Sequence, residues 1–163
     1  MIAFLDIEAS GLGAGSWPVE IGWALPYGRE RNGAVLIKPI AEWTHWDEVA
    51  EMHFHRITRD QLRLEGHSPA EALDLIEAAL AGCEVYVSDP AEDRSWFNRL
   101  VLAAGRNTSL KLHDAGPFLE AQALRRRHNL SAVRRDVANR FPHRHRAEAD
   151  ARQIAEVWRA LVR

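Results

Sequence analysis

The stretch MIAFLDIEASG, residues 1–11, decides the fold that the sequence predicts, because its apolar residues indicate a strand over 2–8. Asp6 and Glu8 lie two residues apart in this strand. Side chains alternate across a strand, so both carboxylates point from the same face. Like charges held that close, and partly removed from water, repel each other unless a cation lies between them. Carboxylate oxygens are hard ligands, so the stretch predicts a site for a divalent ion, Mg²⁺ or Mn²⁺.

A second interpretation of the same pair needs no metal. Asp6 and Glu8 also fit the solvent face of an edge strand whose apolar residues, Phe4, Leu5 and Ile7, turn inward. Exposed acidic residues are common in proteins, so the pair alone leaves both interpretations open.

The composition is that of a globular domain. The chain has 163 residues, of which 47% are hydrophobic and 27% charged, so we expect 1–163 to form one domain. No apolar run approaches the length of a membrane span, about 18 residues, and the first residues lack the segments of a signal peptide. We therefore predict no membrane partner and a cytoplasmic location. Cys83 has no cysteine partner, and we expect it to be a small buried residue.

Charge is unevenly distributed along the chain. Residues 121–147 contain eight arginines against the single acid Asp136, so this segment carries +7 and the rest of the chain −9, within a net charge of −2. A phosphate-binding surface beside a metal-carboxylate site has this charge pattern. A pair of solvated helices explains it equally well. The eight arginines are Arg125, Arg126, Arg127, Arg134, Arg135, Arg140, Arg144 and Arg146.

Turn and capping residues divide the chain into alternating strands and helices. The turn Pro26-Tyr27-Gly28 separates two apolar stretches and indicates a hairpin, and Ser68-Pro69-Ala70-Glu71 is a capping box. These signals predict an α/β domain with a mixed sheet covered by helices, and a loop with a short helix after Pro39. The predicted strands are 2–8, 19–25, 33–37, 84–88 and 109–112, and the predicted helices are 69–80, 90–104, 117–127, 130–140 and 147–162.

Three further residues complete a candidate metal site. Asp93 lies near the start of a predicted helix, with Asp89 and Glu92 as rivals. Asp150 lies in the first turns of the last helix, and His145 precedes it by five residues. Five residues turn a helix by about 500°, so these two do not share a face if both are helical. We therefore expect His145 on the loop that enters the helix.

These five residues follow the order of a known catalytic set. Asp6-x-Glu8, Asp93 and His145-x4-Asp150 resemble the motifs of the DEDDh 3′-to-5′ exonucleases, the superfamily of polymerase proofreading subunits, RNase T and oligoribonuclease. Any one motif is common, but the whole set in order is specific.

Other stretches support and qualify this resemblance. Residues 20–22, Glu-Ile-Gly, resemble the second strand of the superfamily, and residues 55–58, His-Arg-Ile-Thr, resemble its His-Gly-Ile-Thr motif. The chain departs from the superfamily at Ala9, where a threonine is common, and at Ser88-Asp89, where His-Asn is common. These departures concern nucleotide contacts rather than metal ligands.

The resemblance implies an RNase H-like fold, a mixed five-stranded sheet with helices on both faces. It also implies a metal-dependent exonuclease that shortens single-stranded DNA or RNA from the 3′ end and releases nucleoside 5′-monophosphates. In such enzymes two divalent ions, here Mg²⁺ or Mn²⁺, activate water and stabilise the leaving oxygen, and a histidine acts as general base. The implied metal ligands are Asp6, Glu8, Asp93 and Asp150, the implied base is His145, and the implied contacts to the terminal nucleotide are Ala9, Ser10, Gly11 and Leu12.

Two histidine pairs suggest a different metal. His53-x-His55 and His143-x-His145 have spacings found at zinc sites, but the chain has one cysteine and the neighbouring acids favour a harder ion.

The tryptophans are candidates for base stacking. Trp96 and Trp158 follow the apolar stripes of predicted helices and are expected in the core. Trp17, Trp43 and Trp46 lie in loop-like segments, and we expect partial exposure there, which would let one of them stack on a base.

A second function stays open at this point. The chain could be a nucleic-acid-binding or adaptor protein that has the same fold but no catalytic activity. The altered nucleotide-contact positions and Arg125-Arg126-Arg127 favour this alternative. The intact catalytic set favours the enzyme, because a binding protein does not need all five residues. In either case we expect single-stranded nucleic acid as partner, and a homodimer would present the arginine-rich segment to it.

Overall fold

β1, Ile2–Ala9, is the central strand of a five-stranded mixed sheet in the computed structural model, which describes residues 1–163. The strand order is β3-β2-β1-β4-β5, with β1, β2 and β3 antiparallel and β1, β4 and β5 parallel. The predicted α/β class with a mixed five-stranded sheet is confirmed. The edge-strand interpretation of Asp6 and Glu8 is wrong, since β1 has a neighbour on each side. The other strands are β2 Pro18–Ala24, β3 Gly33–Leu36, β4 Glu84–Val87 and β5 Leu112–Asp114.

Six α-helices cover the sheet, and their ends follow the capping residues of the sequence. Ser68 and Glu71 form the predicted capping box of α2, and Asn129 accepts a hydrogen bond from Ala132 N at the start of α5. None of these helices combines the length and apolar character needed to cross a membrane. Short turns of helix also occur at Arg29–Arg31 and Ala50–His55. The helices are α1 Arg59–Glu65, α2 Pro69–Ala79, α3 Pro90–Ala103, α4 Ala115–Arg126, α5 Leu130–Arg140 and α6 Ala147–Val162.

The two faces of the sheet pack against different helices. Alternate residues of β1, namely Ala3, Leu5 and Ile7, join a large apolar cluster with α2 and α3. We call this side of β1 the apolar face. Phe4 points the other way, into a smaller cluster with α4, α5 and α6. Helices therefore lie on both faces, as predicted.

Two elements differ from the sequence prediction. β5 is Leu112–Asp114 rather than 109–112, because its register is set by pairing with β4, where Val85 opposes Leu112 and Val87 opposes Asp114. The short helix predicted after Pro39 without bounds corresponds to two elements, the turn Ala50–His55 and α1, which starts where the Thr58 side chain accepts a hydrogen bond from Gln61 N.

Two predictions about exposure are wrong. Trp17 and Trp43 are buried, and their rings stack with centroids 5.3 Å apart, because the segment that follows β3 folds back over the start of β2. Neither ring is free to stack on a base. Trp46 is half-buried, and its indole Nε1 donates a hydrogen bond to Glu51. Cys83 is half-buried rather than buried, since it lies in the turn before β4.

Candidate active site

The carboxylates of Asp6 and Glu8 lie on the side of β1 opposite its apolar face, beyond Phe4. We call this side, formed by Phe4, Asp6 and Glu8, the carboxylate face. Its neighbours on β2 are set by the antiparallel register, in which Asp6 opposes Gly22 and Glu8 opposes Glu20. Helix α6 packs across β1 and β2 on the same face. The alternation of the strand therefore directs both carboxylates towards the start of α6.

Asp93 reaches the cluster from the first turn of α3. It is 2% exposed, and one carboxylate oxygen accepts a hydrogen bond from Asp89 N at 3.2 Å. Its rival Asp89 is exposed and caps α3 by accepting a hydrogen bond from Glu92 N. Because Asp89 is occupied at the helix end, Asp93 is the carboxylate of this segment that faces Asp6.

Asp150 reaches the cluster from the first turns of α6. It is 4% exposed, and its Oδ1 lies 3.0 Å from Arg144 N and 3.3 Å from His143 Nδ1. The loop over 143–146 thus wraps around this carboxylate before α6 begins at Ala147.

An ion pair between buried Glu20 and half-exposed Arg146 fixes the start of α6 on the sheet. Glu20, 2% exposed, accepts two hydrogen bonds from Arg146, at 3.0 Å from Nε and 2.6 Å from the terminal nitrogen. The same carboxylate accepts a hydrogen bond from Ala147 N at 2.9 Å and so caps the helix. A Cβ at Gly22 would overlap the backbone of Ala147, which shows how closely the helix approaches β2. Glu20 and Gly22 therefore hold Asp150 opposite Asp6 and Glu8.

Burial and crowding change the acidity of three carboxyl groups. Burial raises the pKa of Asp6 well above its ordinary value, and the charges of Asp93, Glu8 and Asp150 raise it further. Burial, followed by the charge of Asp150, raises the pKa of Glu8 to about 7. Burial raises the pKa of Asp93 to about 7 as well. Without a cation, burial and mutual repulsion favour the neutral forms of these carboxyl groups. A bound cation would favour their ionised forms instead.

His145 lies on the loop before α6, as predicted. Its backbone is in the left-handed region, with φ 51°, and its exposed ring contacts Phe54 edge to face with centroids 5.0 Å apart. A ring nitrogen of His145 and carboxylate oxygens of Glu8 and Asp150 all lie within 4.8 Å of one another. The histidine is thus the exposed member of a group whose other two members are the implied metal ligands.

A cavity of about 220 Å³ opens beside Glu8 and His145. Three of the four residues implied to contact the terminal nucleotide, Ala9, Gly11 and Leu12, line it. The hydroxyl of Ser10 instead lies in the interior, near Trp17 N and His45 Nδ1. The remaining lining residues are Ile7, Asp47, Ala50, Phe54, His55 and Trp96.

The histidine pairs do not form zinc sites of their own. His53 is exposed whereas His55 is buried, with its Nδ1 accepting a hydrogen bond from Ile57 N. Burial also lowers the pKa of His55, so its ring is neutral at neutral pH. His143 and His145 both lie near Asp150, but the ligands around them are carboxylates.

The sequence matches no protein-family profile and no curated protein. Solved structures of exonuclease I are similar in fold. A moderately thermophilic exonuclease I from Methylocaldum szegediense superposes with a TM-score of 0.67 at 18% identity, covering 98% of this chain and 40% of the other. E. coli exonuclease I in complex with a dA16 oligonucleotide superposes with a TM-score of 0.69 at 14% identity, covering 98% of this chain and 41% of the other. The zinc-bound form of the E. coli exonuclease I complex with single-stranded DNA superposes with a TM-score of 0.69 at 15% identity, covering 98% of this chain and 39% of the other.

This chain has the fold of exonuclease I. It spans about 40% of the length of those proteins. At identities of 14–18% the likeness concerns the arrangement of strands and helices.

The donor set fits a hard divalent ion. Asp6, Glu8, Asp93 and Asp150 come from β1, α3 and α6 and converge, and none of them forms an ion pair with a lysine or an arginine. Carboxylate oxygens are the ligands that suit Mg²⁺ or Mn²⁺.

Glu20, His143 and Phe54 are the site residues that sequence reasoning missed. For Glu20 a signal exists, because an acid between Val19 and Ile21 in an apolar strand has the same pattern as Asp6. Phe54 carries no such signal, and His143 is singled out by the sequence only as a partner of His145 in a possible zinc pair.

Proposed function

We propose that this chain is a metal-dependent 3′-to-5′ exonuclease that hydrolyses the terminal phosphodiester bond of single-stranded DNA or RNA and releases nucleoside 5′-monophosphates. The observation that carries the proposal is the convergence of four carboxylates, two of them nearly fully buried, at one end of a central strand and beside a histidine-lined cavity. Residues 1–163 act as one exonuclease domain in this proposal. A homodimer and a cytoplasmic location stay predictions from the sequence.

Asp6, Glu8, Asp93 and Asp150 would hold two divalent ions. When bound, the ions supply positive charge that stabilises the transition state and acidifies the attacking water. The carboxylates themselves are positioned by the fold: Asp93 by Asp89 N and Asp150 by Arg144 N. Fixed ligands of this kind reduce the reorganisation that the reaction requires.

His145 acts as the general base. It is exposed and lies on a loop, so it can reach a water molecule near Glu8 and Asp150, whose oxygens are within 4.8 Å of its nitrogen. Water loses its proton to His145 and attacks phosphorus, the bond from phosphorus to the 3′ oxygen of the penultimate nucleotide breaks, and that oxygen takes a proton from solvent. Histidine suits this role because its charge changes near neutral pH.

The 220 Å³ cavity receives the terminal nucleotide. It borders Glu8 and His145, and its walls are largely apolar, with Leu12 76% exposed and Phe54 46% exposed at its entrance. Exposed apolar side chains at a cleft are suited to the faces of a base. The backbone of Gly11 packs closely against Asp47 in the wall, since a Cβ at Gly11 would lie 2.6 Å from the Cβ of Asp47.

The fold likeness supports the substrate class. Relatives in fold include an exonuclease I solved with a dA16 oligonucleotide and one solved with single-stranded DNA. This chain spans about 40% of the length of those proteins, and the proposed activity is argued from the carboxylates of this chain.

The proposal is tested with single-stranded RNA and DNA of matched sequence that carry a 5′ label, incubated with Mn²⁺ or with chelator. We expect a ladder that shortens from the 3′ end, requires the metal, and disappears in Asp6→Asn. Asp60→Asn is the matched control, because it removes an exposed carboxylate on α1. If neither polymer is shortened while both are bound without metal, the chain is a nucleic-acid-binding protein on this fold.

The role of His145 has a separate test. We expect His145→Ala to lower turnover by about 10²–10⁴-fold, the usual contribution of a general base, without preventing Mn²⁺ binding measured by calorimetry. His128→Ala, which removes an exposed histidine after α4, should leave turnover unchanged. Unchanged turnover in His145→Ala would exclude it as the base.

A further inference from the structure

A second cavity, of about 380 Å³, is lined by His143, two residues before the His145 that lines the first. The two cavities have no lining residue in common. His143 lines the second cavity and is 3.3 Å from Asp150 Oδ1. Ser88, between β4 and the cap of α3, lines it as well. The cavity therefore adjoins the carboxylate cluster through His143, next to Asp150.

The lining of this cavity is cationic and polar at one side and apolar at the other. Arg134 supplies the charge, Ser88, His143 and Gln153 are polar, and the remaining lining residues are apolar side chains of α4, α5 and α6. No carboxylate lines it. Arg134 is exposed and forms no ion pair, so its guanidinium is available to an anion.

Arg134 also belongs to a larger basic surface beside this cavity. Arg140 and Arg146 are neutralised by Asp136 and Glu20, but the other arginines of the segment are exposed and form no ion pair. We call these residues the arginine surface. They follow the end of α4, the exposed side of α5 and the loop into α6: Arg125, Arg126, Arg127, Arg134, Arg135 and Arg144.

We infer that the second cavity binds a backbone phosphate of the strand upstream of the scissile bond, through Arg134, and that the arginine surface carries the strand onwards from there. The inference rests on the proposed exonuclease function. The terminal nucleotide occupies the first cavity, the scissile phosphate lies at the carboxylates, and the next phosphates reach Arg134. A guanidinium binds phosphate oxygens in a bidentate manner, and unpaired arginines along a surface give a salt-dependent, sequence-independent affinity.

Binding tests the inference without any turnover. The probe is a labelled oligothymidylate of about twelve nucleotides, long enough to cover the surface, titrated by fluorescence anisotropy at several salt concentrations with Ca²⁺. We expect Arg134→Gln to weaken binding several-fold and to reduce the slope of log Kd against log salt by about 0.7, the value for one phosphate contact of a single strand. Arg134→Lys should restore the slope but only part of the affinity. Arg63→Gln on α1 changes the net charge equally and should change neither.

Turnover separates this inference from the proposed function. The 4-nitrophenyl ester of thymidine 5′-monophosphate has a terminal nucleotide and a phosphodiester but no upstream strand. We expect Arg134→Gln to raise KM for the oligonucleotide and to leave hydrolysis of the ester unchanged. The inference would be overturned if Arg134→Gln lowered the rate of hydrolysis equally for the oligonucleotide and the ester. It would also be overturned if the slope of log Kd against log salt for this variant equalled that of the unsubstituted chain. If the natural chain hydrolyses neither substrate, the proposed function fails, and the anisotropy result still decides whether Arg134 binds phosphate.

Discussion

The apolar face and the carboxylate face of β1 belong to the same eight residues but lie in contrasting environments. On the apolar face Ala3, Leu5 and Ile7 are at most 5% exposed and pack on α2 and α3. On the carboxylate face Phe4 is equally buried, but Asp6 and Glu8 follow it in positions where burial raises their pKa values. One face stabilises the strand, and the other gives up packing for an acidic cluster, which in the proposed function would hold the metal ions.

The largest expected effect concerns activity at Asp6. Asp6→Asn keeps the shape of the side chain and removes its charge, so we expect exonuclease activity to fall at least about 10³-fold, at the upper end for one electrostatic group. The free energy of unfolding of the metal-free protein should stay equal or rise, since a buried charge is removed. Urea unfolding and the nuclease ladder measure the two. A large loss of stability in Asp6→Asn would mean that the carboxylate face contributes to the free energy of unfolding as the apolar face does, contrary to this description.

The matching change on the apolar face is Leu5→Ala. Leu5 is fully buried, so we expect a loss of about 2–5 kcal/mol in the free energy of unfolding, from lost burial and the cavity left behind. The protein that remains folded should keep its metal affinity, because Leu5 points away from the carboxylates. Urea unfolding gives the first value and calorimetry the second. A similar stability loss in Asp6→Asn and Leu5→Ala would remove the distinction between the faces.

The third effect is the pH dependence of stability without metal. The folded pKa values of Glu8 and Asp93 are about 7, above the ordinary values of 4.5 and 3.8. Between these values the folded protein holds protons that the unfolded chain releases, so stability falls as the pH rises from about 4 through about 7, and Asp6, whose pKa is also raised, adds to the fall. At about 1.4 kcal/mol per pKa unit the two shifts set an upper bound of about 8 kcal/mol, and we expect a smaller decrease because the charged carboxylates can relax towards water.

Saturating Mn²⁺ should remove this decrease, because the ion binds the deprotonated carboxylates. Thermal unfolding between pH 4 and pH 8, with Mn²⁺ and with chelator, measures it. A metal-free protein that becomes more stable over the same range would contradict the charged-cluster description.

The smallest effect concerns the pair that places α6 over the carboxylate face. Glu20→Gln should cost about 1–2 kcal/mol of stability, because Arg146 is 49% exposed and can turn to water once its partner is gone. It should weaken Mn²⁺ binding as well, since the start of α6 carries Asp150. Asp136→Asn, which breaks the exposed pair with Arg140, should cost less than about 0.5 kcal/mol and leave metal binding intact. Equal effects of the two substitutions would show that Glu20 does not position α6.

Local patterns explain what sequence reasoning predicted well. The alternation in β1 placed Asp6 and Glu8 on one face, and the apolar stripe of α6 predicted its start at Ala147 and a loop position for His145. Capping residues identified α2 and α3 within a residue or two. These features depend on neighbours a few residues away, which the sequence shows directly.

Contacts between distant segments explain what it missed. Trp43 is buried because Trp17 lies beside it, and β5 starts at Leu112 because β4 sets its register. Neither partner can be identified from spacing along the chain.

The sequence by itself determined the five candidate catalytic residues, the mixed α/β fold and the arginine-rich segment. Only the tertiary structure decided that β1 is central, that Asp93 rather than Asp89 faces the cluster, and that His143 and His145 line separate cavities. The ion pair of Glu20 with Arg146 joins residues 126 positions apart. Such pairs depend on how layers pack, whereas strand alternation and helix periodicity are set by local backbone geometry.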